Sequence, residues 1–172
     1  MLNLLMKRRS IRKYKNMGIS KDKVDSLIKA ALLAPSAKGT RPWEFIVVED
    51  KEMLEKLGKA KQHASGFISE APLAIVVVAD STKTDVWVED TSIASTIIQL
   101  EAEHLGLGSC WVQIRNRMHD EDSSAEKYVK EVLGIPENYV VESIISIGYI
   151  DEDKKPYAEE DLKYEKIHRE KF

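Results

Sequence analysis

Three arginines and a serine stand within five residues at Arg8-Arg9-Ser10-Ile11-Arg12. A guanidinium group donates through a planar fork that matches a phosphate or carboxylate, and a hydroxyl adds one more donor, so the set suits a phosphate monoester. The surrounding charge is just as uneven. Residues 1–21 hold seven basic side chains and no acidic one, so the net −3 of the chain divides into +7 there and −10 over the rest. That asymmetry allows two readings: a solvated arm, or one paired with the acidic body, against a site for an anion such as phosphate or nucleic acid.

A second segment, Pro35-Ser36-Ala37-Lys38-Gly39-Thr40-Arg41-Pro42, places small residues between two prolines ahead of Trp43. Small side chains let a planar ligand come close to backbone N–H groups. Other devices are missing. There is no GxGxxG, no GxxxxGK[ST], no HExxH and no GxSxG. His63, His104, His119 and His168 lack ligand spacing, and Cys110 is the single cysteine, so neither a metal site nor a disulfide is expected. Cys110 lies in an apolar run without a basic neighbour in sequence, which argues against a nucleophile. With so little acid–base or covalent machinery, the chemistry belongs to a bound cofactor.

The elements that must position these residues fit a single domain over residues 1–172. Hydrophobic residues make up 43% and charged residues 32%, a balance that excludes disordered and collagen-like chains. No apolar run has the length of a membrane helix, and the charges at Lys7, Arg8 and Arg9 follow the apolar start instead of preceding it, so a cytoplasmic location without membrane contact is the expectation. Ser20 is placed to cap a helix whose apolar positions Val24, Leu27, Ile28, Ala31 and Leu32 share one face, before Pro35 stops it. Strands are expected at 43–48, 73–79, 109–114 and 140–149, and helices at 51–59, 85–105 and 124–133. Within 85–105 the stripe Ile93, Ile97, Leu100 and His104 marks a core helix, His104 reads as a core histidine, and Gly106 ends the helix. The last 22 residues hold 14 charged ones, with Leu162, Tyr164, Ile167 and Phe172 among them. Such a tail is either disordered or laid across another surface.

Taken together and in order, the RRSIR and APSAKGTRPWEFIVV stretches, Ala71-Pro72 and Gly106-Leu107-Gly108-Ser109-Cys110-Trp111 resemble the nitroreductase family of FMN-dependent oxidoreductases over nearly the whole chain. The resemblance implies an α+β fold: a central, mostly antiparallel or mixed sheet flanked by helices, with residues 151–172 wrapping a partner subunit. It implies FMN as cofactor, NADH or NADPH as electron donor, and a small-molecule acceptor such as a nitroaromatic or a quinone, served by one site in ping-pong order. It implies a homodimer with FMN at the subunit interface. Arg8, Arg9, Ser10 and Arg12 match the group that holds the ribityl phosphate and the pyrimidine side of the flavin. Pro35, Ser36, Ala37 and Gly39 match the loop given by the second subunit, and Arg41 lies beside the expected substrate mouth. Trp111, Val112 and Gln113 match the strand end along the isoalloxazine, and Lys166 is the tail cation for the phosphate. No side chain is assigned as catalytic. Gly39 and Arg41 depart from the family's usual asparagine and glutamine, which removes one amide contact to the flavin and adds a cation. A nucleic-acid module is disfavoured, since the arm lacks aromatics apart from Tyr14 and a body of −10 repels a polyanion.

Overall fold

The computed structural model describes residues 1–172. In chain order the elements are α1 (Leu2–Lys7), α2 (Lys21–Leu32), β1 (Trp43–Val48), α3 (Lys51–Gly58), β2 (Leu73–Asp80), α4 (Trp87–His104), β3 (Gly108–Gln113), α5 (Ala125–Leu133) and β4 (Tyr139–Gly148). The four strands form one sheet in the order β1-β2-β4-β3, and every pairing is antiparallel, which narrows the expected mostly antiparallel or mixed sheet. None of its helices is long and apolar enough to cross a membrane.

β2 is central, and all eight of its residues are buried. Its alternate side chains feed two cores, which explains why its sequence is a continuous apolar run with no polar alternation. Leu73, Ile75 and Val77 pack with Ile145 and Ile147 of β4 against Leu27 of α2 and Ile98 of α4. Ala74, Val76 and Val78 pack with Val112 and Ile144 against Leu54 and Leu57 of α3 and Val129 of α5. Each fully buried Val, Ile or Leu contributes about 1.5–3 kcal/mol of transfer free energy, so these two layers fix the sheet.

Local chemistry sets the ends. Asp50 caps α3 by accepting from the Met53 N–H at 2.9 Å, and Ser124 caps α5 by accepting from the Lys127 N–H at 3.1 Å. Ser20 stands at the start of α2 as expected, but its side chain makes no capping bond. Gly106 ends α4 with φ of 73°, and the Leu107 N–H reaches back to the Ala102 carbonyl at 2.8 Å.

The expected core stripe of α4 faces outward. The helix turns Asp90, Thr91, Ala94, Ser95, Ile98, Gln99 and Ala102 inward, while Ile93 is 41% exposed, Ile97 and Leu100 are half-buried and His104 is exposed. Small inward residues let the helix lie close to the sheet, and Ser95 meets Ser143 Oγ at 2.9 Å. The larger apolar residues are left on the surface with the side chains of α1, where Met1, Leu2 and Leu5 are also exposed.

Candidate functional site

β3 is an edge strand, and the basic segment lies along its free side. Ser10 bridges Ser109 in parallel, and the Ile11 N–H donates to the Ser109 carbonyl at 2.9 Å. This closeness depends on Gly108, where an added Cβ would stand 2.8 Å from the Ile11 side chain. Tyr14 fixes the segment from below. Its hydroxyl donates to the Ile11 carbonyl at 2.6 Å and accepts from Ser146 Oγ at 2.7 Å. Burial pushes the Tyr14 phenol well above its ordinary value, so it stays a neutral donor.

Beyond Tyr14 the segment runs antiparallel to the start of the tail. Lys15 N–H meets the Tyr149 carbonyl at 2.9 Å, Asp151 N–H meets that of Lys13 at 3.0 Å, and Tyr157 N–H meets that of Met6 at 2.8 Å. The first part of the tail therefore docks on its own chain. From residue 159 onward every side chain is exposed, including Tyr164, Ile167 and Phe172.

The arginines diverge. Arg9 donates to the Lys155 carbonyl and lies over the Tyr157 ring at 4.6 Å, so its charge is engaged by the tail. Arg12 lies over the Phe67 ring at 5.7 Å, and Ser10 keeps a partly open hydroxyl beside it. Lys61 and Arg117, which sequence reasoning missed, join the group. Burial lowers the Lys61 ammonium below its usual value, and the Arg117 charge lowers it further. Cys110 stands between the arm and Lys61: burial raises its thiol, against the opposing fields of Arg12 and Lys61. In space this cysteine does have basic neighbours, yet burial prevails and leaves no thiolate.

Arg8, Arg9, Arg12, Lys61 and Arg117 form no ion pair. Two carboxylates lie by the arm: Glu103 of α4, whose carboxyl is raised by burial against the opposing charges of Lys7 and Arg8, and Glu152 of the tail. Glu152 accepts from the Arg12 N–H at 2.5 Å and the Lys13 N–H at 3.3 Å, and it pairs with Lys154 at 3.1 Å. Burial works against its charge, but these donors win and hold it below the usual carboxylate range. Its charge is thus spent on the backbone and Lys154, which leaves the Arg12 guanidinium without an ion pair.

At the far end of β3 the side chains alternate. Val112 is buried in the α3–α5 core, so only its backbone can meet a ligand. Trp111 and Gln113 point to the other face, where the indole N–H donates to Gln113 Oε1 at 2.9 Å.

The loop 35–41 stands elsewhere. It precedes β1, the opposite edge of the sheet, three strand spacings or roughly 14 Å from β3. Asp90 holds it by accepting from the Ala37 N–H at 2.9 Å, and Ser36 Oγ accepts from the Arg41 N–H at 2.9 Å. Lys38, Gly39 and Arg41 all have positive φ (53°, 68° and 47°), a conformation that suits Gly39 and strains the other two. Pro35, Gly39 and Arg41 are exposed, and Arg41 has no ion pair. One chain therefore gathers Arg8, Ser10, Arg12 and β3 at one edge and displays Pro35, Ser36, Ala37, Gly39 and Arg41 at the other. Lys166 lies in an exposed turn of the tail, Tyr164–Lys166; the tail residues that meet Arg9 and Arg12 are Glu152, Lys155 and Tyr157.

The family model described as the nitroreductase family matches residues 5–65 and 59–149, a span that includes the arm, the loop, Lys61 and β3. The chain belongs to the nitroreductase family. The structure of an FMN-dependent nitroreductase of Clostridium difficile R20291 is 56% identical to this family member and superposes with a TM-score of 0.99 over 100% of both chains. An Archaeoglobus fulgidus protein, provisionally named an NADH dehydrogenase/NAD(P)H nitroreductase, is 42% identical over 99% of this chain and 98% of its own. Iodotyrosine deiodinase 1 of Rattus norvegicus matches more locally, at 46% identity over 31% of this chain and 19% of its own. The family's fold and the observed four-stranded antiparallel sheet flanked by helices thus agree.

Proposed function

We propose that this chain is an FMN-dependent NAD(P)H oxidoreductase whose flavin phosphate is held at the β3 edge by Arg8, Ser10 and Arg12, with Lys61 and Arg117 supplying positive charge toward the ring. The observation that carries this reading is the approach of Arg12 and Lys61 to Cys110 of β3, with Arg117 beside Lys61 and none of the three in an ion pair. The donor set fits FMN: a dianionic phosphate monoester needs several cationic donors free of competing carboxylates, and a flavin ring that gains negative charge on reduction is favoured by fixed cations. Arg9, already held by Lys155 and Tyr157, keeps the tail folded over this edge.

When bound, FMN supplies the hydride-accepting and electron-donating ring chemistry, and the protein supplies binding, orientation and fixed charge. Trp111 and Gln113 flank the place where the ring lies, and the buried Cys110 thiol stays neutral beneath the arm. NADH or NADPH and a small acceptor, such as a nitroaromatic or a quinone, use the same open face in turn, which gives ping-pong kinetics.

The half-sites on opposite edges support a homodimer in which the 35–41 loop of one subunit completes the β3 edge of the other. The exposed apolar residues Ile93, Leu33, Ile167 and Phe172 supply surface for that contact and for a tail that embraces the partner. Sedimentation at micromolar concentration is expected to give twice the mass of the 19.5 kDa chain; a monomer that keeps its flavin overturns the dimer.

The enzymatic test is optical. Purified protein is expected to be yellow, to bleach when NADH or NADPH is added without oxygen, and to regain colour when a nitroaromatic or a quinone follows. Colourless protein that FMN cannot reconstitute sinks the assignment, and yellow protein that no nicotinamide reduces leaves a flavin carrier of this fold.

A further inference from the structure

Glu142 lies at a break in the β2–β4 ladder. Val77 pairs with Ser143 and Val78 pairs with Val141, so Glu142 is the unpaired residue of a β-bulge. A bulge re-aims one side chain, and bulges are enriched beside functional sites. This one turns a carboxyl toward the end of β3. The residue fastens that strand end with both backbone and side chain: its carbonyl accepts from the N–H groups of Ile114 at 3.1 Å and Arg115 at 3.2 Å, and its Oε1 accepts from Gln113 Nε2 at 3.2 Å. Gln113 Oε1 in turn accepts from the Trp111 indole. Glu142 is only 3% exposed, and its Oε2 is buried without any partner.

A buried carboxylate with one bare oxygen is costly as an anion and far less so as a neutral acid. Three polar side chains in a row, Trp111, Gln113 and Glu142, therefore have their donors and acceptors assigned in only one way. The indole N–H fixes which end of the Gln113 amide is oxygen, and the amide NH₂ then donates to Glu142 Oε1 and to the Arg115 carbonyl, each at 3.2 Å.

We propose that Glu142 is a positioning residue for the flavin-facing end of β3, acting through the Gln113 amide to hold the Trp111 indole in place. The inference rests on the reading of β3 as the flavin-side strand, and it names a residue that does not itself touch the cofactor. Burial raises the Glu142 carboxyl and so keeps it neutral to higher pH; the Gln113 bond and the Arg115 charge oppose this, and Glu126 of α5 reinforces it. Arg115 is itself drawn aside, with its guanidinium over the Trp87 ring at 5.6 Å.

The test has an arm that needs no flavin. In apoprotein labelled with ¹⁵N, the Trp111 indole resonance, assigned by its loss in Trp111→Phe, is expected to move and to exchange faster with solvent in Glu142→Ala, while Glu142→Gln leaves it near the wild-type position. In the second arm FMN affinity is measured by fluorescence quenching. Glu142→Ala is expected to weaken binding about tenfold, Glu142→Gln less than about twofold, and Glu142→Ala is expected to add nothing in a Gln113→Ala background. An indole resonance unmoved in Glu142→Ala, or an affinity loss that adds fully to that of Gln113→Ala, overturns the proposal. Wild-type protein that fails to bind FMN while the indole still responds overturns the flavin reading and leaves the positioning intact.

Discussion

Three of the four lysines on α3 and α5 are matched, Lys56 meeting Glu52 at 2.8 Å, Lys127 meeting Glu131 at 4.0 Å and Lys130 meeting Glu137 at 3.1 Å, while Lys51 donates to the Ser69 carbonyl. Beside the first residues of β3, Arg12, Lys61 and Arg117 form no ion pair. The first group is ordinary solvated surface, where each exposed pair is worth about 0–1 kcal/mol. In the second, burial lowers the Lys61 ammonium and the neighbouring Arg117 charge lowers it further. An anion bound beside them relieves that repulsion. What sets the second group apart is its convergence on the buried Cys110 and not the missing partners alone, since most cations of the chain form no ion pair.

Substitutions on the two sides should therefore behave differently. The largest effect is expected for Arg12→Ala, which removes a charge-assisted contact and should weaken FMN binding by about 10- to 150-fold; unchanged affinity in a fluorescence titration would place the phosphate elsewhere. Gly108→Ala sets a Cβ against Ile11 and should destabilise the docked arm by about 1–3 kcal/mol, seen as a lower midpoint in denaturant together with weaker FMN binding. If the midpoint holds, the arm has slack that the structure does not show.

Lys61→Met comes next, with a loss of roughly tenfold in FMN affinity. Its pH dependence has a definite sign. The ammonium is lowered in the free protein and a bound anion raises it, so binding takes up a proton and affinity should fall as pH rises toward 10.5, whereas Lys61→Met should lose that alkaline limb. A titration in which both proteins show the same alkaline fall removes Lys61 from the site. Lys127→Ala marks the other end of the scale: stability should change by less than about 0.5 kcal/mol and FMN affinity not at all, and a measurable loss of flavin would erase the contrast between the two groups.

How far the sequence foretold this depends on the kind of signal. The run Leu73–Ala79 could only be a central strand, because its apolar continuity demands burial on both faces. Gly106 marked a helix end, since positive φ is easily adopted by glycine. The stripe on α4 misled because periodicity reports an apolar face without saying what covers it: Ala94, Ser95 and Ala102 go inward for close packing, and Ile93 and Ile97 go outward. α1 was too short to show a period. In the site, Arg8, Ser10 and Arg12 were legible as a cluster within five residues. Lys61 and Arg117 were not, being single cations in loops brought to β3 only by the chain's return. The Glu142 bulge leaves no trace in composition at all; one extra residue in a ladder is a property of pairing.

The central claim is that the unmatched cations at the β3 edge hold a phosphate, and the most direct measurement is a parallel titration of apoprotein with FMN and with riboflavin, which share the ring and differ in the phosphate. The account predicts that riboflavin binds at least about tenfold more weakly than FMN, and that Arg12→Ala narrows the gap by weakening FMN alone. Equal affinities for the two flavins in the wild-type protein would contradict it.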